Sequence, residues 1–196
     1  ERPGRVGRPP QSVELDPGGP FVLGLEVNVD YLAVWATDLA GVVRHRSFVA
    51  HDNRSARAGE AIERLARMAE EALGEPFAAS RHPMVATVAV PGLVDPDGEL
   101  AVAPNLGWVD VPVARLLNDA LADPPYEVRV ENEANLGAVA ELVEGAGRGL
   151  RDFVYISGEI GIGAGIVLRG ELFRGASGFA GEFGHLTIDP YGPPCG

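Results

Sequence analysis

The chain has 196 residues, is 46% hydrophobic and 22% charged, and carries a formal net charge of −12. That composition is of the soluble globular kind, with length enough for one large domain or two small ones. Such acidity excludes a surface built to grip phosphate backbones, which needs clustered Lys and Arg. No apolar run approaches the roughly 20 residues that span a bilayer. Residues 1–11 are rich in Arg and Pro without the apolar stretch of a signal peptide, so a cytoplasmic location is expected and no membrane partner is. A single cysteine, Cys195, excludes an internal disulfide framework.

In chain order, residues 1–20 hold Pro3, Gly4, Gly7, Pro9, Pro10, Pro17, Gly18, Gly19 and Pro20, which predicts an extended linker. Its Arg2, Arg5 and Arg8 read as a solvated tail. Three strand-like runs follow at 21–27, 31–37 and 42–50, with turns at 28–30 and 38–41, predicting an antiparallel meander. Asn53 or Ser55 is then placed to cap a helix in which Ala58, Ile62, Leu65, Ala69 and Leu73 recur at helical steps up to Gly74. The Val- and Ala-rich run 85–90 predicts a buried strand. A shorter helix carries Val113, Leu116, Leu117 and Leu121, a short strand covers 128–130, and a third helix covers 133–144. After Gly145, Gly147 and Gly149 a second cycle opens with strands at 153–156 and 166–168 around a glycine-rich turn, then a turn at 170–171 into 172–173. The order β-β-β-α-β-α-β-α predicts an α/β fold with a mixed sheet.

Four stretches bear on chemistry. Ser157-Gly158-Glu159-Ile160-Gly161-Ile162-Gly163-Ala164-Gly165 is rich enough in glycine for backbone N–H groups to approach a phosphate. It equally describes a tight hairpin between packed strands, since it lacks the Lys of a P-loop and a strand follows where a dinucleotide fingerprint needs a helix. Gly181-Glu182-Phe183-Gly184-His185 sets a carboxylate and an imidazole three residues apart, able to hydrogen-bond sugar hydroxyls or, through the His, to bind a metal. A His beside glycine is also commonly structural. Glu131-Asn132-Glu133-Ala134-Asn135 joins a strand to a helix, where Asn132 suits the cap and Glu133 the positive end of the dipole. Such junctions also face the ligand crevice of α/β sheets. Pro91-Gly92 and Pro104-Asn105-Leu106-Gly107-Trp108 fall at further loop ends, where Asn105 offers donor and acceptor to a hydroxyl and Trp108 reads as core.

Together, in this order and spacing, the four motifs resemble the ROK family of repressors, open reading frames and kinases, from about Gly4 to the last residue. The most specific stretch is 161–195, GIGAGIVLRGELFRGASGFAGEFGHLTIDPYGPPC. The resemblance implies an actin-like ATPase (ribonuclease H-like) fold with a sugar cleft between two lobes, lined by Asn105, Asn132, Glu133, Glu182 and His185. Residues 1–20 are then a linker after an absent winged-helix DNA-binding domain, 21–149 the first lobe, and 150–196 the start of the second. A chain truncated at both ends is expected. A zinc site is also implied, with His185 and Cys195 as two ligands and two further cysteines beyond Gly196. Zinc is therefore expected in the full-length protein, its site incomplete here.

Kinases of the family place an Asp and two glycines followed by Thr in a turn that receives ATP phosphates. The equivalent turn here reads Glu26-Val27-Asn28-Val29-Asp30-Tyr31, with valines at the glycine positions. Their catalytic Asp is matched by Glu133, and a misplacement of about 1 Å costs on the order of a hundredfold in rate. Glu159-Ile160 replaces a lone Thr before Gly161. These departures argue against phosphoryl transfer and leave no catalytic residue assigned. Gly4-Arg5-Val6-Gly7-Arg8-Pro9-Pro10 resembles the linker of the family's repressors. The expected function is effector sensing in a sugar-responsive regulator that reaches operator DNA through the absent domain and acts as a homo-oligomer. The alternative is a sugar kinase of the same family, moving the γ-phosphate of ATP to a hexose with Glu133 as base.

Overall fold

The structure, a computed structural model, describes residues 15–16, 18–54, 56–79, 81–158 and 160–192. The Arg-rich segment, Ser55, Glu159 and Cys195 lie outside them. The alternating apolar pattern of the first three runs gives β1 (Phe21–Val27), β2 (Tyr31–Asp38) and β3 (Val43–Ala50), paired antiparallel in sequence. Helix α1 (Ala58–Leu73) then returns the chain so that β4 (Pro83–Val90) runs parallel to β1.

Between β4 and the next helix the chain builds a small antiparallel sheet that sequence reading did not anticipate. Its strands are β5 (Leu93–Val94), β6 (Leu100–Ala103) and β7 (Trp108–Val111). They are too short to show a period of two. Helix α2 (Val113–Ala120) follows, then β8 (Glu127–Asn132), which pairs parallel with β4 and completes a five-stranded sheet of order β3-β2-β1-β4-β8. The apolar stripe of α1, including Ile62, Leu65 and Ala69, shares one core with Leu23, Leu25, Leu32 and Val34 of the sheet and with Leu117 of α2. Fully burying a side chain such as Leu65 contributes about 1.5–3 kcal/mol. Trp108, 4% exposed, belongs to this core as its sequence context suggested.

Helix α3 (Glu133–Val143) carries the chain to a second sheet, β9 (Phe153–Gly158), β10 (Ile162–Leu168) and β11 (Glu171–Leu172), of order β9-β10-β11. The strand β10 begins at Ile162, so most of the glycine-rich stretch is strand and not turn. A Cβ on Gly165 would lie 2.5 Å from the Ala138 Cβ and 2.6 Å from the Ala134 carbonyl oxygen, and one on Gly163 would lie 3.1 Å from the Ala134 Cβ. These glycines let α3 lie on the strand, which favours the hairpin reading over the phosphate one.

Two polar residues hold the first sheet in ways the sequence did not disclose. Asn53 is not a helix cap: the N-cap position of α1 is Arg57, and no side chain caps it. Instead Asn53 is fully buried and its Nδ2 donates to the carbonyls of Asn28, at 2.7 Å, and Tyr31, at 3.1 Å. At the opposite end of β2, the buried Asp38 carboxylate accepts from the N–H groups of Ala40 and Val42 and from Arg44 Nε at 2.8 Å. The Val42 N–H, with the Arg44 guanidinium, holds the Asp38 carboxyl below the usual range.

Asn53→Ala takes its side-chain donor from the buried Asn28 carbonyl and one of two donors from the Tyr31 carbonyl, and is expected to destabilise the protein by about 1–3 kcal/mol, read as a lower urea midpoint at unchanged slope. An unchanged midpoint would remove the cross-link from the account. Because the folded-state pKa of Asp38 is depressed, its contribution is present above the ordinary aspartate value, about 3.9, and is lost as pH falls through the lowered one. Asp38→Asn is therefore expected to lower the thermal midpoint at neutral pH and to converge with the parent in acid. Parallel curves at all pH values would contradict this assignment.

Candidate functional site

The junction of β8 and α3 gathers a dense set of polar contacts. Asn132 caps the helix, its Oδ1 accepting from the N–H groups of Ala134 at 2.9 Å and Asn135 at 3.1 Å. Its Nδ2 donates to the Gly92 carbonyl at 2.8 Å, which ties the junction to the Pro91-Gly92 turn. That turn needs glycine, since a Cβ there would lie 2.5 Å from the Val102 carbonyl oxygen. Asn132 is thus both a cap and a brace. Glu133 is the first residue of α3 and half-buried, with its carboxylate in the favourable field of the helix N-terminus.

Glu182 and His185 lie on a segment pressed onto β10. Gly181 has φ +98°, and any Cβ on it would overlap the Ala164 carbonyl oxygen; a Cβ on Gly184 would lie 2.5 Å from the Ile162 carbonyl oxygen. Gly178, at φ +83°, approaches the Val94 carbonyl of the small sheet in the same way. The glycines of the motif therefore set how closely this segment lies on the strand. Glu182 is half-buried, with Oε2 3.7 Å from His185 Nε2. Burial pushes its carboxyl up from the ordinary value, against the opposing pull of His185. His185 projects outward, with its side chain 76% exposed.

Asn105 sits in a single 3-10 turn, Pro104–Leu106, which Gly107 ends in the left-handed conformation. Its Nδ2 lies 3.8 Å from where a Cβ on Gly161 would stand, so Asn105 faces the turn between β9 and β10. Of the five candidate ligand residues, only Glu182 and His185 approach each other directly among the described contacts. The others each have their own neighbours: Asn105 stands beside Gly161, Asn132 is bonded to the Gly92 carbonyl, and Glu133 starts the helix that lies on β10. Two surface depressions of about 500 and 520 Å³ lie elsewhere, one beside Asp95, Asp110 and Arg115, the other at the ends of α1 and α2. Neither is lined by a candidate residue; the first carries Asp95, Glu99, Asp110 and Arg115 but no side-chain amide, and the second is largely apolar with Glu70, Arg81, His82 and Asp123 at its edge.

The turn between β1 and β2 is closed on itself. Its Asn28 N–H donates to the Tyr31 carbonyl at 3.0 Å and its Val29 N–H to the Asn28 Oδ1 at 2.7 Å. Val27 and Val29 are buried at 0% and 2% exposure. The Tyr31 hydroxyl donates to Glu26 Oε1 at 2.6 Å, and Arg54 is held by Asp30 at 2.6 Å and by Asp52 at 3.2 Å. The two aspartates offset the Arg54 charge, so the turn presents no net positive field.

For a metal, the residues fall short. Among the described residues no three His, Cys, Asp or Glu side chains converge, and Cys195 lies outside them. His185 with one cysteine is half of a four-coordinate zinc set.

Sequence reasoning missed two participants. Glu131 accepts from the Asn132 N–H and Asn135 Nδ2 through Oε1, and from Arg174 through Oε2. A carboxylate next to a cap residue was its only signal, and Arg174 had none.

Comparison with known proteins places these features. The ROK family profile matches residues 22–196. The chain is 32% identical over 190 residues to the xylose repressor of Bacillus subtilis, covering 96% of this chain and 48% of that one. It is 39% identical over 107 residues to the glucokinase of Halalkalibacterium halodurans, covering 54% of this chain and 32% of that one. Among solved structures, a ROK family transcriptional regulator homologous to the E. coli Mlc protein superposes with a TM-score of 0.76 at 27% identity, over 90% of this chain and 44% of that one. The ROK hexokinase from Thermus thermophilus superposes with a TM-score of 0.71 at 33% identity, over 90% and 56%. The chain spans about half the length of the xylose repressors it matches. The fold is the actin-like ATPase fold that these kinases and regulators share. With the profile matching nearly its whole length, the chain belongs to the ROK family.

Proposed function

We propose that this chain is the effector-sensing part of a sugar-responsive ROK regulator, and that a sugar or sugar derivative binds among Asn105, Asn132, Glu133, Glu182 and His185. The observation that carries this reading is the closed β1–β2 turn. Where a family kinase would offer backbone N–H groups to ATP phosphates, the amides of Asn28 and Val29 are already paired within the turn. Buried valines fill the space that glycines would leave. The likeness to the xylose repressor runs along nearly all of the chain, whereas that to the glucokinase covers about half.

In this reading the sugar shifts an equilibrium between two arrangements of the lobes, by no more than its difference in affinity for them. Residues 21–149 form the first lobe and 150–196 open the second. Operator DNA is reached through a winged-helix domain preceding the 1–20 linker, and a homo-oligomer matches paired half-sites. Zinc belongs to the full-length protein, with His185 and Cys195 among its ligands. No helix among the described residues is long and apolar enough to cross a membrane.

A kinase reading draws on the Glu133 carboxylate at the start of α3 and on the glucokinase likeness. Calorimetric titration of the full-length protein with D-xylose and D-glucose, with and without MgATP, separates the two. Saturable sugar binding without ATP heat is expected. Asn105→Ala and Glu182→Gln are each expected to weaken it about tenfold while leaving the thermal midpoint in place. Saturable ATP binding, with hexose phosphorylation that vanishes in Glu133→Ala, would instead establish the kinase.

A further inference from the structure

The ion pair of Glu131 and Arg174 joins parts of the chain 43 residues apart. Arg174 donates from Nε at 2.9 Å and from Nη2 at 2.7 Å to Glu131 Oε2. The other oxygen, Oε1, accepts from the Asn132 N–H at 3.0 Å and from Asn135 Nδ2 at 2.9 Å. The Glu131 side chain is 13% exposed. An exposed ion pair contributes about 0–1 kcal/mol. Here a mostly buried carboxylate has both oxygens engaged, and loss of the guanidinium would leave one of them without its cation.

Each partner sits where its position matters. Glu131 immediately precedes the α3 cap, so its Oε1 contacts fix the orientation of Asn132 and of the first turn that carries Glu133. Arg174 opens the segment that leads to Glu182. The Phe173 N–H donates to the Ile166 carbonyl at 2.7 Å, anchoring the chain to β10 just before Arg174. The Ala180 N–H donates to the Arg174 carbonyl at 3.0 Å, closing loop 174–180 on the same residue. Gly181 follows directly and seats the chain on Ala164. The side chain of Arg174 thus holds the first sheet while its main chain holds the base of the Glu182–His185 segment.

From this we infer that Glu131 and Arg174 are a positioning pair: they set the separation between the α3 N-terminus and the Glu182–His185 segment, and through it the affinity for sugar, without touching the sugar themselves. The affinity half of this inference rests on the sugar-sensing reading; the positioning half does not.

The test uses the full-length protein and two measurements. Amide hydrogen exchange without sugar is compared between parent, Arg174→Met and Arg174→Lys. Exchange in residues 175–186 is expected to rise at least about tenfold in Arg174→Met, less in Arg174→Lys, and to stay unchanged in β1, β2 and β4. Titration with D-xylose and D-glucose is expected to show affinity reduced about tenfold in Arg174→Met and partly restored in Arg174→Lys. Arg174 is half exposed, so its variants remain foldable even where Glu131→Gln does not. Unchanged exchange in 175–186 overturns the inference, as does raised exchange with intact affinity. Lost affinity with unchanged exchange also overturns it, since Arg174 would then contact the ligand. If the parent binds neither sugar, the sensing reading fails, while the exchange comparison still decides the positioning pair.

Discussion

Helix α3 lies on β10 at a distance that only glycine permits. At Gly165 a side chain would meet both the Cβ of Ala138 and the carbonyl of Ala134, and at Gly137 it would meet the Tyr155 ring. Small residues face each other along the contact, Ala134 and Ala138 on the helix and Gly163 and Gly165 on the strand. The close approach brings the α3 N-terminus, with Asn132 and Glu133, beside the sheet on which the Glu182–His185 segment is laid. A larger residue at any of these positions would part the two halves of the candidate site before altering a single polar group in it. The polar contacts refine this arrangement: Asn132 braces the junction against Gly92, and Glu131 reaches across to Arg174.

The same scaffold serves kinases and regulators in this family, so the difference must lie in local chemistry. Phosphate binding needs donors left unpaired by the fold and aimed at one point. The β1–β2 turn uses its amides internally, buries its valines, and is held from behind by Asn53. Two carboxylates at its mouth are matched by one guanidinium. The turn is thus stabilised by the interactions that a nucleotide would have to displace. The candidate sugar-binding groups of the proposed site are under no such conflict. Glu182 is raised toward its neutral form by burial, and a hydroxyl that donates to the carboxylate would recover part of the hydrogen bonding that burial removes.

How much was legible in the sequence follows from the length scale of each feature. The strand β1 and the helix α1 were read to within a residue, because their apolar periods run over seven and sixteen residues. The strands β5 to β7 span two to four residues each and carry no readable period. The sequence puts the start of β10 at 166, four residues late, because glycines read as a turn when they mark a strand approached by another backbone. Asn53 is ambiguous in the sequence for a similar reason: the amide that caps a helix locally can equally cross-link a turn 25 residues away. The cap at Asn132 was legible because its partners lie two and three residues ahead. The site motifs could be named, but Arg174, whose partner is remote, left no local trace.

A sensor must bind its ligand and also let binding alter something distant, and these demands pull against each other. A site assembled within one rigid unit binds well but reports nothing, since its ligand has the same affinity for every arrangement of the rest. Here the candidate ligand residues fall in two sets: Asn105 of the small sheet's 3-10 turn with Asn132 and Glu133 of the β8–α3 junction, and Glu182 and His185 of the segment on β10. A ligand spanning both sets gains contacts only when the two are correctly spaced, which gives the difference in affinity that a shift of population requires. The close contact of α3 and β10 limits how far the halves can part near the helix. In the proposed sensor, the 174–185 segment, carried on glycines and held to the first sheet through Arg174, is where spacing can respond to a ligand without disrupting either core.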